Sequence, residues 1–261
     1  MARIALGLSY LGSAYHGWQS QPSGRTVQDR LERALRLFST EPLSTTCAGR
    51  TDTGVHGLMQ VVHFDTALGR EPFSWARGTN RYLPPDIAVQ WAHEVPASFH
   101  ARASALTRRY TYVVLASPVR PSLETGRVGW TFRSLDPDAM RAAAAHLLGE
   151  HDFSSFRASE CQAPSPVRRV VAIGIQQRGA YWRFDFEANA FLHHMIRNIM
   201  GCLVLIGQGR RPSSWMLDVL RACDRRAAAP TFAADGLYFR GPVYAPYWGL
   251  PDSTATHAWP P

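Results

Sequence analysis

The chain has 261 residues, 46% hydrophobic and 18% charged, a balance that supports a sizeable core and excludes low-complexity disorder. Its formal net charge is +8, and all 28 basic residues are arginine. The excess positive charge points to an anionic partner, nucleic acid or an acidic membrane, and the missing lysine excludes Schiff-base, pyridoxal phosphate and P-loop chemistry. GC-rich codon usage accounts for arginine replacing lysine, but not for the net charge. The four cysteines, Cys47, Cys161, Cys202 and Cys223, form no Cys-x-x-Cys pair, so free thiols in a reducing compartment are expected.

In chain order, Arg3 to Tyr10 alternates apolar residues (Ile4, Leu6, Leu8, Tyr10), which is strand patterning rather than an export signal. A loop with Tyr15, His16, Trp18, Gln19 and Gln21 follows. Thr26 is placed to cap a helix, with Asp29 at its third position and Val27, Leu31, Ala34, Leu35 and Phe38 on one face. Arg30, Arg33 and Arg36 take the other face, as a solvated surface or a guide for RNA. Strands are expected at Ser44 to Cys47 and Gln60 to Phe64, a short helix at Phe73 to Asn80, and a strand at Ile87 to Ala92.

A second unit begins at Thr107 to Ala116, an alternating strand with Tyr110, Tyr112 and Val114 on one side. Asp136 to Leu148 is a helix opened by Asp136-Pro137 and closed by Gly149. Val167 to Gln176 and Tyr181 to Glu187 form a hairpin across Arg178-Gly179. Helices are expected at Phe191 to Ile206 and Ser214 to Cys223, the latter with Trp215, Val219 and Leu220 inward, and a last strand at Gly236 to Tyr244. The apolar helix core Ile199 to Ile206 is too short to span a bilayer. A cytoplasmic protein with no membrane partner is expected. The links are too short for crossover helices, so the sheets should be mainly antiparallel.

The chemistry concentrates at Ala48-Gly49-Arg50-Thr51-Asp52-Thr53-Gly54-Val55-His56-Gly57. Asp52 is a carboxylate on a tight loop, two residues from Arg50. A β-turn with an Asx hydrogen bond is the plain reading of such a triplet. A carboxylate beside an arginine also suits a nucleophile, because opposite charge favours its ionised form. Arg197 lies on an otherwise apolar helix, where an unpaired cation is costly, so it needs an acceptor: Glu187, Asp185 or Asp52. Tyr110 follows Arg108 and Arg109 on its strand. An aromatic ring flanked by arginines can stack a flipped base and grip its phosphates, although most strand tyrosines only pack. Asp52, His56, His63 and Asp65 could gather on one hairpin, and His193 and His194 are adjacent. Adjacent side chains on a helix diverge, however, and no His-x3-His pair occurs, so no metal site is expected. No Gly-x-Ser-x-Gly elbow occurs either.

The segment Gly49 to His56 resembles the Gly-Arg-Thr-Asp-x-Gly-Val-His motif of the tRNA pseudouridine synthase A family. Further segments resemble that family in the same order: Tyr15-His16-Gly17-Trp18-Gln19, Phe99-His100-Ala101-Arg102, Arg108-Arg109-Tyr110, Phe153-Ser154-Ser155-Phe156-Arg157, Asn189 to Gly201 and Gly236-Leu237-Tyr238. Thr53 stands where the family often has a smaller residue, and a small effect on pocket shape is expected.

The resemblance implies an α+β pseudouridine synthase fold, with two ferredoxin/RRM-like halves, mainly antiparallel sheets, flanking helices and a central cleft. It places the N-terminal half with the Asp loop at residues 1–105, the C-terminal half at 106–250 and a Pro-rich tail at 251–261. It implies an isomerase converting uridine to pseudouridine at positions 38, 39 and/or 40 of the tRNA anticodon stem-loop, with no cofactor or metal, working as a homodimer. Carried over by position, it makes Asp52 the nucleophile, lays Tyr110 against the flipped uracil, and has Arg50 hold the displaced nucleotide open. Arg197 would pair with Asp52, and Leu237 would line the pocket. A non-catalytic tRNA/RNA-binding protein and a metal-dependent nuclease are the other readings. The intact Arg-Thr-Asp core favours the enzyme, since a pure binder has no need of a carboxylate facing anionic RNA.

Overall fold

The structure, a computed structural model, describes residues 1–251, so nearly all of the tail at 251–261 lies outside the described residues. The elements are β1 (Ala2–Tyr10), α1 (Val27–Ser39), β2 (Thr46–Cys47), β3 (His56–Thr66), α2 (Pro72–Asn80), β4 (Ile87–Val95), β5 (Ala105–Ala116), β6 (Gly129–Thr131), α3 (Pro137–Ala145), β7 (Gly149–Asp152), β8 (Val167–Arg178), β9 (Tyr181–Ala188), α4 (Met195–Gly207), α5 (Trp215–Ala222) and β10 (Leu237–Tyr244). They fall into two compact units. Among the described residues one comprises Met1–Arg108 with the chain from Tyr238 to residue 251, the other Arg109–Leu237. Chain order alone would leave the last strand with the second half. Its residues Tyr238 and Phe239 pair in parallel with His56 and Gly57, which draws it into the first unit.

In the first unit the strand order is β4-β1-β3-β10, with β2 also on β3. β1 runs antiparallel to both β3 and β4, with Ile4 opposite Phe64 and Glu94. The middle of β1, Ile4 to Leu8, is buried on both faces, although its alternation suggested a half-buried strand. Gly7 explains one side: a Cβ there would sit 2.1 Å from the Trp91 ring. On the other side Leu6 and Leu8 join Val27, Leu31 and Leu35 of α1 in one core. Each such aliphatic side chain contributes roughly 1.5–3 kcal/mol by leaving water. Trp75 of α2, fully buried, stands edge-on to Phe38 and Phe64. The start of α1 matches its sequence pattern, since the Thr26 side chain accepts from Asp29 N–H and Asp29 accepts from Thr26 N–H. Such a cap stabilises by about 1 kcal/mol.

In the second unit the order is β5-β9-β8-β7, with β6 pairing in parallel along β5. From Tyr110 to Leu115 both faces of β5 are buried. The β8–β9 hairpin turns at Gly179-Ala180, because Arg178 still pairs with Tyr181 and Gly179 takes φ +59°. Asp136 caps α3, with Pro137 as its first residue. α3 packs on α4, which is buried along almost its whole length. α4 starts four residues later than the apolar run suggested. His194, at φ +61°, breaks the backbone ahead of Met195, and periodicity does not register that break. In α5 it is Met216, with Val219 and Leu220, that is buried; Trp215 is half-exposed beneath the Arg211 guanidinium. Among the described residues no helix is long and apolar enough to cross a membrane, and all four cysteines are free.

Candidate active site

The loop between β2 and β3 is held along its length. At its entrance Ala48 N–H donates to Val61 O at 2.8 Å. The Gln60 side chain, fully buried, then grips the Gly49 peptide twice, donating to its carbonyl at 2.5 Å and accepting from its N–H at 3.4 Å. Arg108 reaches the Ala48 and Ala105 carbonyls at 3.4 and 3.1 Å and also donates to Arg102 O. Thr51, next to the carboxylate, is buried and fixed twice. Its carbonyl accepts from Trp18 N–H at 3.0 Å, and its hydroxyl meets the Tyr10 hydroxyl at 2.8 Å.

Asp52 itself is half-buried and opens a turn closed by Val55 N–H on its carbonyl at 3.1 Å. Gly54, third in that turn, takes φ +81°, the conformation a type II turn requires there. The β-turn expected from the sequence is therefore present, and it is closed by backbone atoms, so its closing bond does not use the carboxylate. Arg50 and Thr53 on either side are exposed. At the exit, His56 is fully buried, its Nδ1 accepts from Gly12 N–H at 3.0 Å, and its ring lies on Tyr238 with centroids 4.6 Å apart. Accepting at Nδ1 fixes the neutral tautomer with hydrogen on Nε2.

The glycines near the loop answer to neighbours inside the fold. A Cβ on Gly57 would meet the Tyr10 ring at 2.4 Å, and one on Gly17, at φ +79°, would meet Thr51 O at 2.7 Å. The Tyr15 to Gln19 segment thus packs its backbone directly on the backbone of Thr51 and Asp52. Tyr10, Gly12 and Gln60 are contributors to the site that the sequence patterns did not single out. Their roles depend on partners far along the chain, and no local signal marks them.

The other histidine and carboxylate of this hairpin are engaged elsewhere. Asp65 pairs with Arg3 at 2.7 Å, which holds its carboxyl below the usual range. His63 accepts from Ala101 N–H at 3.2 Å. Burial, with Arg3 and His100 adding repulsion, pushes His63 down to about 4 from 6.5. A histidine neutral in the fold and protonated in the unfolded chain stabilises above pH 6.5, and that contribution is lost as pH falls toward 4. The melting temperature of His63→Asn, measured across that window, should therefore fall less steeply than that of the wild type. Parallel curves would refute the assignment.

The remaining residues singled out from the sequence lie in the second unit. Tyr110 is buried on β5 and stands edge-on to Phe191, with centroids 5.2 Å apart. Behind it Arg109 pairs with Glu187 at 3.3 Å, and Asp185 takes both Arg183 at 2.9 Å and the Thr111 hydroxyl at 2.5 Å. Two of the three carboxylates that sequence offered to Arg197, Glu187 and Asp185, thus have arginines of their own. Arg197, half-buried on α4, donates from Nε to Phe232 O at 2.9 Å and receives Phe232 N–H on its own carbonyl at 3.1 Å. Leu237 is buried, and its N–H donates to Ala234 O at 2.8 Å.

Comparison with known proteins agrees on one family. The family model described as tRNA pseudouridine synthase matches residues 8–102 and 143–245. The chain is 66% identical to tRNA pseudouridine synthase A of Paracidovorax citrulli, with 99% of this chain and 100% of that protein covered. It is 67% identical to the protein of the same name from Verminephrobacter eiseniae and 66% identical to that from Polaromonas naphthalenivorans, with the same coverage.

Proposed function

As a member of the tRNA pseudouridine synthase family the chain isomerises uridine to pseudouridine in tRNA, and we propose that it acts at positions 38, 39 and/or 40 of the anticodon stem-loop, with Asp52 as the nucleophile. The observation that carries this reading is the Asp52 loop: a carboxylate in the family's motif, beside an exposed arginine, on backbone braced from both sides. The reaction breaks the N1–C1′ bond, joins C5 to C1′, removes the C5 proton and leaves a proton on N1. No atom is gained or lost overall. Attack at C1′, attack at C6 and a glycal route share one need, a charged carboxylate held against a flipped-out nucleotide.

Flipping a base out of a stem costs a few kcal/mol. In this reading Arg50 holds the vacated space open, Tyr110 lies against the uracil and Leu237 lines its pocket. Phosphate contacts from the arginine-rich surface offset the flipping cost and make binding weaken with salt. We also read the protein as a cytoplasmic homodimer.

An unmodified tRNA transcript incubated with the protein, then mapped by carbodiimide treatment and primer extension, should show new stops at uridines 38 to 40. Pseudouridine formed only elsewhere in the tRNA would overturn the site assignment. Light scattering on the same preparation should give twice the chain mass of 29.1 kDa, and a monomer would overturn the dimer.

A further inference from the structure

We propose that Tyr10 and Gln60 are positioning residues that set the place of the Asp52 carboxylate by clamping the Gly49–Asp52 segment, an inference that rests on Asp52 being the nucleophile. Neither side chain is solvent-facing: Tyr10 is 4% exposed and Gln60 is 0% exposed. Gln60 fixes the start of the segment through both polar atoms of the Gly49 peptide. Tyr10 fixes its end through the Thr51 hydroxyl, one residue from Asp52. Two buried side chains on paired strands therefore hold the two ends of a short stretch.

The clamp is rigid for reasons visible around it. The Tyr10 ring fills the space that a Cβ on Gly57 would occupy and leans on Trp18, with ring centroids 5.8 Å apart. Trp18 in turn donates its N–H to Thr51 O. Tyr10 and Gln60 stand on the paired strands β1 and β3, where Tyr10 is opposite Gly57 and Leu8 opposite Gln60. Burial raises the Tyr10 phenol far above its ordinary value, so it stays protonated and able to donate throughout the neutral range. A buried amide and hydroxyl with satisfied partners specify one arrangement of the segment they bind. A displacement of about 1 Å in a reacting group can cost about 100-fold in rate.

The test uses Tyr10→Phe and Thr51→Val, each removing one hydroxyl at nearly constant volume, with Thr51→Ser as the conservative variant. Steady-state pseudouridine formation, tRNA binding and the melting temperature are measured for each variant, and for the double variant. Tyr10→Phe and Thr51→Val should each lower kcat by about tenfold or more with KM and tRNA Kd within about threefold. The double variant should be no slower than the worse single, because both break one link. Thr51→Ser should recover most of the rate. A purely structural role predicts instead a lowered melting temperature with kcat unchanged in the folded fraction, and that result overturns the proposal. So do multiplicative losses in the double variant. Should Tyr10→Phe fail to fold, Thr51→Val against Thr51→Ser decides alone, equal rates refuting the clamp. Asp52→Asn separates the two levels: if it still turns over, the nucleophile reading fails; if it is inactive while Tyr10→Phe runs at the wild-type rate, only the clamp fails.

Discussion

Asp52→Asn should abolish pseudouridine formation while tRNA binding stays within a few-fold of wild type. Asparagine keeps the size of the side chain and can still accept the local hydrogen bonds of a turn, so the Asp52–Val55 backbone bond and the left-handed Gly54 are undisturbed. What is lost is the charge and, in the proposed role, the nucleophilic oxygen. Removing a nucleophile from an enzyme that depends on it costs about 10³-fold or more in kcat, and binding should survive because it is expected to rest on phosphate contacts made elsewhere. The same substitution removes one negative charge from a surface that meets an anionic ligand, so binding that tightens slightly fits the reading. The measurements are single-turnover conversion by carbodiimide mapping and filter binding at fixed salt. Turnover retained above about 1% of wild type would remove Asp52 from the role of nucleophile.

The second large effect is on stability. Gly12→Ala should lower the melting temperature by roughly 10 °C and take activity with it. A Cβ at position 12 would lie 1.9 Å from the carbonyl oxygen of Val55 and 2.5 Å from its carbon. Both atoms are backbone, so no rotamer change relieves the clash. The segment 12–18 has to lift away from the Asp52 loop, which also stretches the Gly12–His56 hydrogen bond and the bond from Trp18 to Thr51. Overpacking of this kind costs about 3 kcal/mol or more, and in a chain of this size each kcal/mol lowers the midpoint by roughly 2–4 °C. Gly69→Ala is the control. Its Cβ would have nothing within 4 Å, and its φ is not positive, so its melting curve should overlay the wild type. Calorimetry on the three proteins checks both statements. A Gly12→Ala protein that melts with wild type would mean the two backbones are not packed as described.

The strongest sequence signals were local ones, and they translated directly into structure. Thr26 and Asp29 form the capping box that their spacing announces, and Asp136-Pro137 opens α3. Val27, Leu31 and Leu35 face the core as their periodicity requires. The boundaries that moved did so for backbone reasons that side-chain patterns do not carry: the left-handed His194 ahead of α4, and the turn at Gly179-Ala180 rather than one residue earlier. The two-faced burial of β5 was likewise hidden, since an alternating strand and a fully buried one can share a sequence when partners cover both sides.

The sequence by itself determined what chemistry is present: the Gly-Arg-Thr-Asp motif, the arginine excess and the order of strands and helices are properties of neighbouring residues. Tertiary structure alone decided how Asp52 is held. The Tyr10–Thr51 contact joins residues 41 apart, and the Gly12–His56 bond joins residues 44 apart. The parallel pairing of Tyr238 with His56 closes a far longer span. No periodicity or propensity extends over such distances. They are set by which surfaces exclude water together, and the placement of Asp52 is a consequence of that packing.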